Sequence, residues 1–175
     1  MKKHLLVLLL IVCSLSTAMA QSPFRFEIHA GGGMDLQLYR GGGDLNRSRL
    51  VLGGACSYYF NDNLDLCAKY LFSPTYSLNG YYKYRTHTFS LAGEYHFLKD
   101  RSVRPYIALG AGPQYVHTID SSPGKYHGTT MGFLGETGVE IKGRIKVSLG
   151  TFNHGYHFWD NTREPFWFLT LGWII

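Results

Sequence analysis

The residues in this chain best suited to chemistry are carboxylates and cations set two or four positions apart. Glu27, Glu94, Glu136 and Glu140 share parity along their segments with Arg25, Lys69, Arg104, Arg144 and Lys146. Such a set can form a buried ion-pair network, a gated pore or proton path, or an acid/base pair. The acid/base reading is the weakest. Glu136 and Glu140 stand four residues apart, about 13 Å along an extended strand, too far to share a proton. An interior network has a direct physical rationale, because charges taken out of water must be paired.

Histidines offer a second constellation. His154 and His157 with Asp160 sit near one end of a candidate strand and in the link after it. The spacing of three between the histidines puts them on opposite faces of a strand, which argues against a shared metal. Ser121 and Ser122 have no spacing that ties them to these histidines. Gly31–Gly33, Gly41–Gly43 and Gly110–Gly112 have the glycine content of a phosphate cradle, but no helix start follows them to supply a dipole. No catalytic residue, metal ligand or cofactor is therefore assigned.

The elements that must position these groups are strands. Apolar and polar residues alternate over 24–36, 48–60, 64–76, 85–98, 103–117, 129–141, 144–156 and 165–175. Each segment is long enough to cross a hydrocarbon layer when tilted. The links alternate in length. Asn61–Asn63, Lys99–Ser102 and Lys142–Gly143 are short and turn-forming, whereas 37–47, 77–84, 118–128 and 157–164 are long and rich in Gly, Asn, Ser, Pro and Tyr. That rhythm predicts an all-β fold: an eight-stranded antiparallel up-and-down transmembrane barrel, with the short links periplasmic.

One face of the strands carries Phe26, Ile28, Phe89, Leu91, Ile107, Leu109, Met131, Phe133, Leu169 and Leu171. The other carries the charged set with His29, Asp65 and His96, padded by Gly, Ala, Ser and Thr. A lipocalin-like soluble barrel alternates in the same way with the polar face outside. The small residues of the polar face suit a cramped interior, and the aromatics near strand ends (Tyr58, Tyr95, Trp167, Trp173) suit membrane girdles. The polar face is therefore expected inside, with an ion-paired, plugged lumen.

The first twenty residues read as a secretory leader: Lys2 and Lys3, an apolar core over 5–13, then Ala18-Met-Ala20. Cleavage after Ala20 leaves 21–175 as a single barrel domain. Val12 is too bulky to precede a lipidated Cys13. The net charge of +5 falls to +3 without the two leader lysines, too mild to argue for nucleic acid. Charged residues make up 17% of the chain, below the roughly 25% usual for soluble domains. Cys56 and Cys67 flank the Asn61–Asn63 turn. A three-residue turn places them on opposite faces, so they are expected as free thiols.

Cations also gather near the long links: Arg40, Arg47, Arg49, Lys83 and Arg85, with Lys125 and Arg163. Lipopolysaccharide phosphates are their natural partners. Tyr76, Tyr81, Tyr82 and Tyr84 could furnish a contact surface for an unidentified extracellular ligand.

Arg104-Pro-Tyr-Ile-Ala-Leu-Gly-Ala-Gly112 resembles the fifth strand of small OmpA/OmpX-like outer-membrane barrels. Gly135-Glu-Thr-Gly-Val-Glu-Ile141 with Lys142-Gly143 and Arg144–Leu149 resembles their next hairpin. The resemblance implies an eight-stranded barrel inserted by the outer-membrane assembly machinery. Taken whole, the chain reads as a monomeric outer-membrane barrel of a Gram-negative-type bacterium with a structural, adhesive or surface-interaction role. A narrow porin and a lipid A-modifying enzyme are the alternatives. Three departures stand out. The chain lacks the periplasmic peptidoglycan-binding domain that follows the OmpA barrel, so a cell-wall tether is not implied. The last strand closes Trp173-Ile-Ile175 where such barrels usually end in an aromatic. The deacylase type carries a His-x-Ser-Asn signature, whereas His154-Gly-Tyr-His157 lacks the serine.

Overall fold

The structure, a computed structural model, describes residues 23–35, 48–78, 82–98, 101–118, 127–154 and 165–175. These form eight strands: β1 (Phe24–Asp35), β2 (Ser48–Tyr59), β3 (Leu64–Leu78), β4 (Tyr82–His96), β5 (Val103–Thr118), β6 (His127–Ile141), β7 (Ile145–His154) and β8 (Pro165–Ile174). Each pairs antiparallel with the next, and β1 also pairs with β8, which closes the barrel. Closure leaves no strand edge unpaired, a requirement wherever the surroundings are hydrocarbon. Among the described residues no helix is long and apolar enough to cross a membrane, which says nothing against crossing by strands.

The faces sort as a membrane barrel requires. Leu109 and Phe133 are each 72% exposed on the outer wall, while Glu94 and Lys146 inside are 1% and 0% exposed. A lipocalin-like barrel would reverse those figures.

The link expected over 77–84 is shorter in the structure. β3 and β4 continue past a register shift between Ser73 and Tyr76, pairing Tyr76 with Tyr84, Ser77 with Lys83 and Leu78 with Tyr82. Pro74 cannot donate to the ladder, so the irregularity falls there, and strand-favouring tyrosines re-form the pairing beyond it. Tyr76, Tyr82 and Tyr84 therefore belong to a paired ribbon, and Tyr81 lies outside the described residues.

Two turns set the registers that matter below. Asn61 Oδ1 accepts hydrogen bonds from the N–H groups of Asn63 and Leu64, both at 3.0 Å, which holds the β2–β3 turn. The resulting register opposes Ser57 to Cys67 and Cys56 to Ala68. Cys67 is buried in the lumen, Cys56 is on the outer face, and both are free. Between β6 and β7, Lys142 and Gly143 both have positive φ (51° and 64°), and Arg144 N–H donates to the Ile141 carbonyl at 3.0 Å. This is tight-hairpin geometry, and it fixes which residues of β7 face inward.

Candidate functional site

Eight strands enclose a lumen just wide enough to be filled by side chains. Here it is filled in two layers. The layer toward the short turns is ionic. Lys69 Nζ on β3 donates to Glu136 on β6, at 2.6 and 2.5 Å from its two oxygens. Lys146 Nζ on β7 reaches Glu94 on β4 at 2.6 and 2.7 Å, and Glu27 on β1 at 3.2 Å. Arg25 on β1 donates to Glu140 on β6 at 2.8 Å and lies 3.8 Å from Asp65. Arg104 approaches Glu140 at 3.6 Å and donates to the Asp62 carbonyl at 3.1 Å. The Lys69–Glu136, Lys146–Glu94, Lys146–Glu27 and Arg25–Glu140 pairs join strands that are not neighbours in the sheet, so they cross the lumen, whereas Arg104 and Glu140 face each other on adjoining strands.

A tyrosine, a serine and two histidines complete this layer. Tyr106 O–H donates to Glu136 at 2.7 Å, its oxygen lies 2.5 Å from Ser148 Oγ, and its ring sits 4.4 Å beneath the Lys146 ammonium. His29 Nε2 is 3.2 Å from Glu27, and His96 Nε2 is 2.9 Å from Glu94 and 3.3 Å from Asp65. Five carboxylates (Glu27, Asp65, Glu94, Glu136, Glu140) face four fixed cations (Arg25, Lys69, Arg104, Lys146).

Toward the long links the lumen turns apolar. Val51, Leu71, Ala92, Leu134, Phe152, Phe166 and Phe168 form one buried cluster. All three rings lie on glycines of the adjoining strand: a Cβ added to Gly150 would stand 2.3 Å from Phe168 Cζ, one added to Gly132 would stand 2.4 Å from Phe152 Cε1, and one added to Gly33 would stand 2.3 Å from Phe166 Cε2. The missing side chains make room for rings that reach into the bore. Above this septum lie buried Thr86, Thr88 and Gln114, with Gln114 donating to Thr88 at 3.0 Å.

The structure gathers Arg25, Glu27, Lys69, Glu94, Arg104, Glu136, Glu140 and Lys146 in the ionic layer. Arg144 stands apart and exposed, because the β6–β7 turn ends on it and β7 starts at Ile145. Glu136 and Glu140 have separate partners, consistent with their spacing.

Of the rim cations, Arg49 does not stand at the surface. It is 5% exposed, its guanidinium carbon lies 3.4 Å from the Phe166 ring centroid, and it donates to Thr86 Oγ1 at 3.3 Å. The odd parity that it shares with Val51 turns it inward. Arg85 is exposed on the outer wall. Lys83 is placed by its backbone alone, and Arg40, Arg47, Lys125 and Arg163 lie outside the described residues. So do Ser121, Ser122, His157 and Asp160, while His154 is the last residue of β7.

Sequence reasoning placed His29, Asp65 and His96 on the polar face without making them members of the network. It missed Tyr106 and Ser148, and it missed the septum. Phe166-Trp-Phe-Leu169 is apolar without interruption, so alternation gives no sign that two of its rings point inward. The broken alternation was itself the available signal: both faces are apolar at that height.

Asp65, Glu94 and His96 each offer one ligand atom, and these atoms lie within 4.8 Å of one another. Lys146 already holds both oxygens of Glu94. A metal ion there would have to displace an ammonium from its carboxylate, so the trio fits ion pairing better than metal binding.

Comparison with known proteins agrees with this architecture. Residues 5–164 match the family model of the outer membrane protein beta-barrel domain. Neisserial surface protein A is 14% identical with a TM-score of 0.69, over 88% of this chain and 97% of that one. Ail, the attachment invasion locus protein of Yersinia pestis, in complex with the heparin analogue sucrose octasulfate, is 13% identical with a TM-score of 0.53, over 87% and 99%. The outer membrane enzyme PagL is 11% identical with a TM-score of 0.54, over 86% and 98%. At these identities the likeness is one of fold. No curated protein matches the sequence.

Proposed function

The chain belongs to the outer-membrane β-barrel domain family, and from that premise we propose that it is a closed, non-conducting, non-enzymatic barrel whose work is structural or adhesive. The lumen carries this reading. Ion pairs span it between non-neighbouring strands, and an aromatic septum lies above them, which supports a bore closed to water and solute. A barrel that transports nothing acts through its outer wall and its surface segments. Its partners are the lipids around it, lipopolysaccharide, and an extracellular ligand met by the long links. The assembly machinery inserts it after the leader is cut at Ala20.

Two measurements test the reading. Purified protein in planar bilayers should be silent, and cells expressing it should bind surfaces or host matrix in a way that shortening the links over 37–47 and 118–128 abolishes. Steady conductance would favour the narrow-porin alternative instead.

A lipid A-modifying enzyme is the second reading, supported by the fold likeness to PagL alone. Mass profiles of lipid A from cells with and without the gene separate the two. A change in acylation would overturn the non-enzymatic proposal.

A further inference from the structure

The outer wall is not uniform around the barrel. On β4 the outward residues ascend from Phe97 through Leu91 and Phe89 to His87 and then to exposed Arg85. On β5 they ascend through Ala111 and Pro113 to Tyr115 and His117. The register sets Arg85 opposite His117, and His87 opposite both Tyr115 and Phe72. Tyr70 Oη lies 2.7 Å from His87 Nδ1, and the rings of Phe72 and Tyr115 stand 5.0 and 6.3 Å from that imidazole. At the same end of the other strands, the outward residues are Met34, Leu50, Thr129, Asn153 and Trp167. Among the residues whose side chains are described, the outward-facing cationic and imidazole groups at this boundary lie on β4 and β5, and the register sets His127 of β6 opposite His117.

Directly below this cluster the wall is hollowed. An apolar groove of about 890 Å³ crosses the strands, with Ala68, Tyr70, Phe89, Leu91, Ala111 and Pro113 among its walls. Register makes it a slope: Ala68 lies opposite Leu91, Leu91 opposite Ala111, and Tyr70 opposite Phe89. It descends from the upper part of β5 toward the lower part of β3. Arg85 stands four residues above Phe89, about 13 Å along the strand.

We propose that this face docks one phosphorylated lipid of the outer leaflet, the lipid A anchor of lipopolysaccharide. Its phosphate meets Arg85 and His117, and an acyl chain lies in the groove below. This rests on the outer-membrane placement and the lipopolysaccharide partner of the preceding subsection, and adds the side of the barrel and the groove that would hold the lipid. Charge complementarity and position select the occupant. Arg and imidazole groups at the headgroup boundary pair with phosphate. A groove made by small side chains between aromatic walls accepts an alkyl chain, whereas a second barrel would need a raised, not a hollowed, face. Tyr70 and His87 bridge the two halves, offering polar atoms where sugar gives way to hydrocarbon.

The test uses the full-length folded barrel in phosphatidylcholine vesicles doped with diphosphorylated lipid A or its dephosphorylated form. Retained lipid per barrel is measured after extraction. Wild type should retain the diphosphorylated form about tenfold better, the worth of a charge-assisted contact. Arg85→Gln with His117→Gln should lose that preference, and Ala111→Trp should lower retention of both lipids by filling the groove. Asn153→Ala, on another side at the same height, should match wild type. Heat-modifiable gel mobility verifies that each variant is folded. Equal retention of the two lipids by wild type, or unchanged retention in either folded variant, overturns the proposal. Neither result bears on bilayer silence or cell adhesion, so the closed-barrel reading stands or falls separately.

Discussion

Lys146 Nζ on β7 lies 2.6 and 2.7 Å from the two carboxylate oxygens of Glu94 on β4, and both side chains are shut off from solvent. Glu27 completes the ammonium's surroundings at 3.2 Å. Breaking such a pair from one side leaves a buried charge alone, at a cost of about 3–5 kcal/mol. Lys146→Met should therefore lower the unfolding free energy in lipid vesicles by about that amount. Adding Glu94→Gln and Glu27→Gln should restore most of it. Urea titration followed by tryptophan fluorescence measures both, and a single variant as stable as wild type would show that the pair contributes little.

The septum is a separate seal. Phe168 is 2% exposed, and truncating it to alanine should destabilise the barrel by about 3–5 kcal/mol through cavity formation. Conductance should stay absent all the same, because the ionic layer beneath remains closed. Single-channel recording of Phe168→Ala decides this. Openings in that variant would mean that the ion pairs do not block the bore.

Glycines on the two walls should respond in opposite ways. Gly150→Val would drive a side chain into Phe168 and should cost about 1–3 kcal/mol, with Phe168→Ala relieving much of the clash. Gly93 has nothing within 4 Å of an added Cβ, so Gly93→Val should change stability by no more than about 0.5 kcal/mol. Thermal shifts of heat-modifiable gel bands compare the pair directly.

Cys56 and Cys67 differ in the face that each presents. A membrane-soluble maleimide should label Cys56 in the folded, reconstituted barrel and reach Cys67 only after unfolding. Mass measured with and without reductant should be the same. A loss of two mass units without reductant would point to a bridge that the β2–β3 register forbids.

Alternation and link length by themselves determined the eight strands, their order and their approximate ends, because in a closed up-and-down sheet each strand's partner is its neighbour in the chain. The same parity put the carboxylates and cations on one face. Which cation meets which carboxylate was decided by tertiary structure. The contacts run between β1 and β6, β3 and β6, and β4 and β7, and so depend on barrel closure, strand tilt and register. The fate of Arg49 and Arg144 was settled in the same way, one turned inward above Phe166 and the other held outside by a turn. The septum left only a loss of alternation as its sign, because Leu-Val-Leu52 and Phe-Trp-Phe-Leu169 are apolar on both faces and periodicity does not tell which rings turn inward where the two environments want the same residues. The lipid-facing groove needed three strands in register before Ala68, Leu91 and Ala111 became one hollow. Local sequence specifies which way a side chain points; only the closed barrel specifies what it meets.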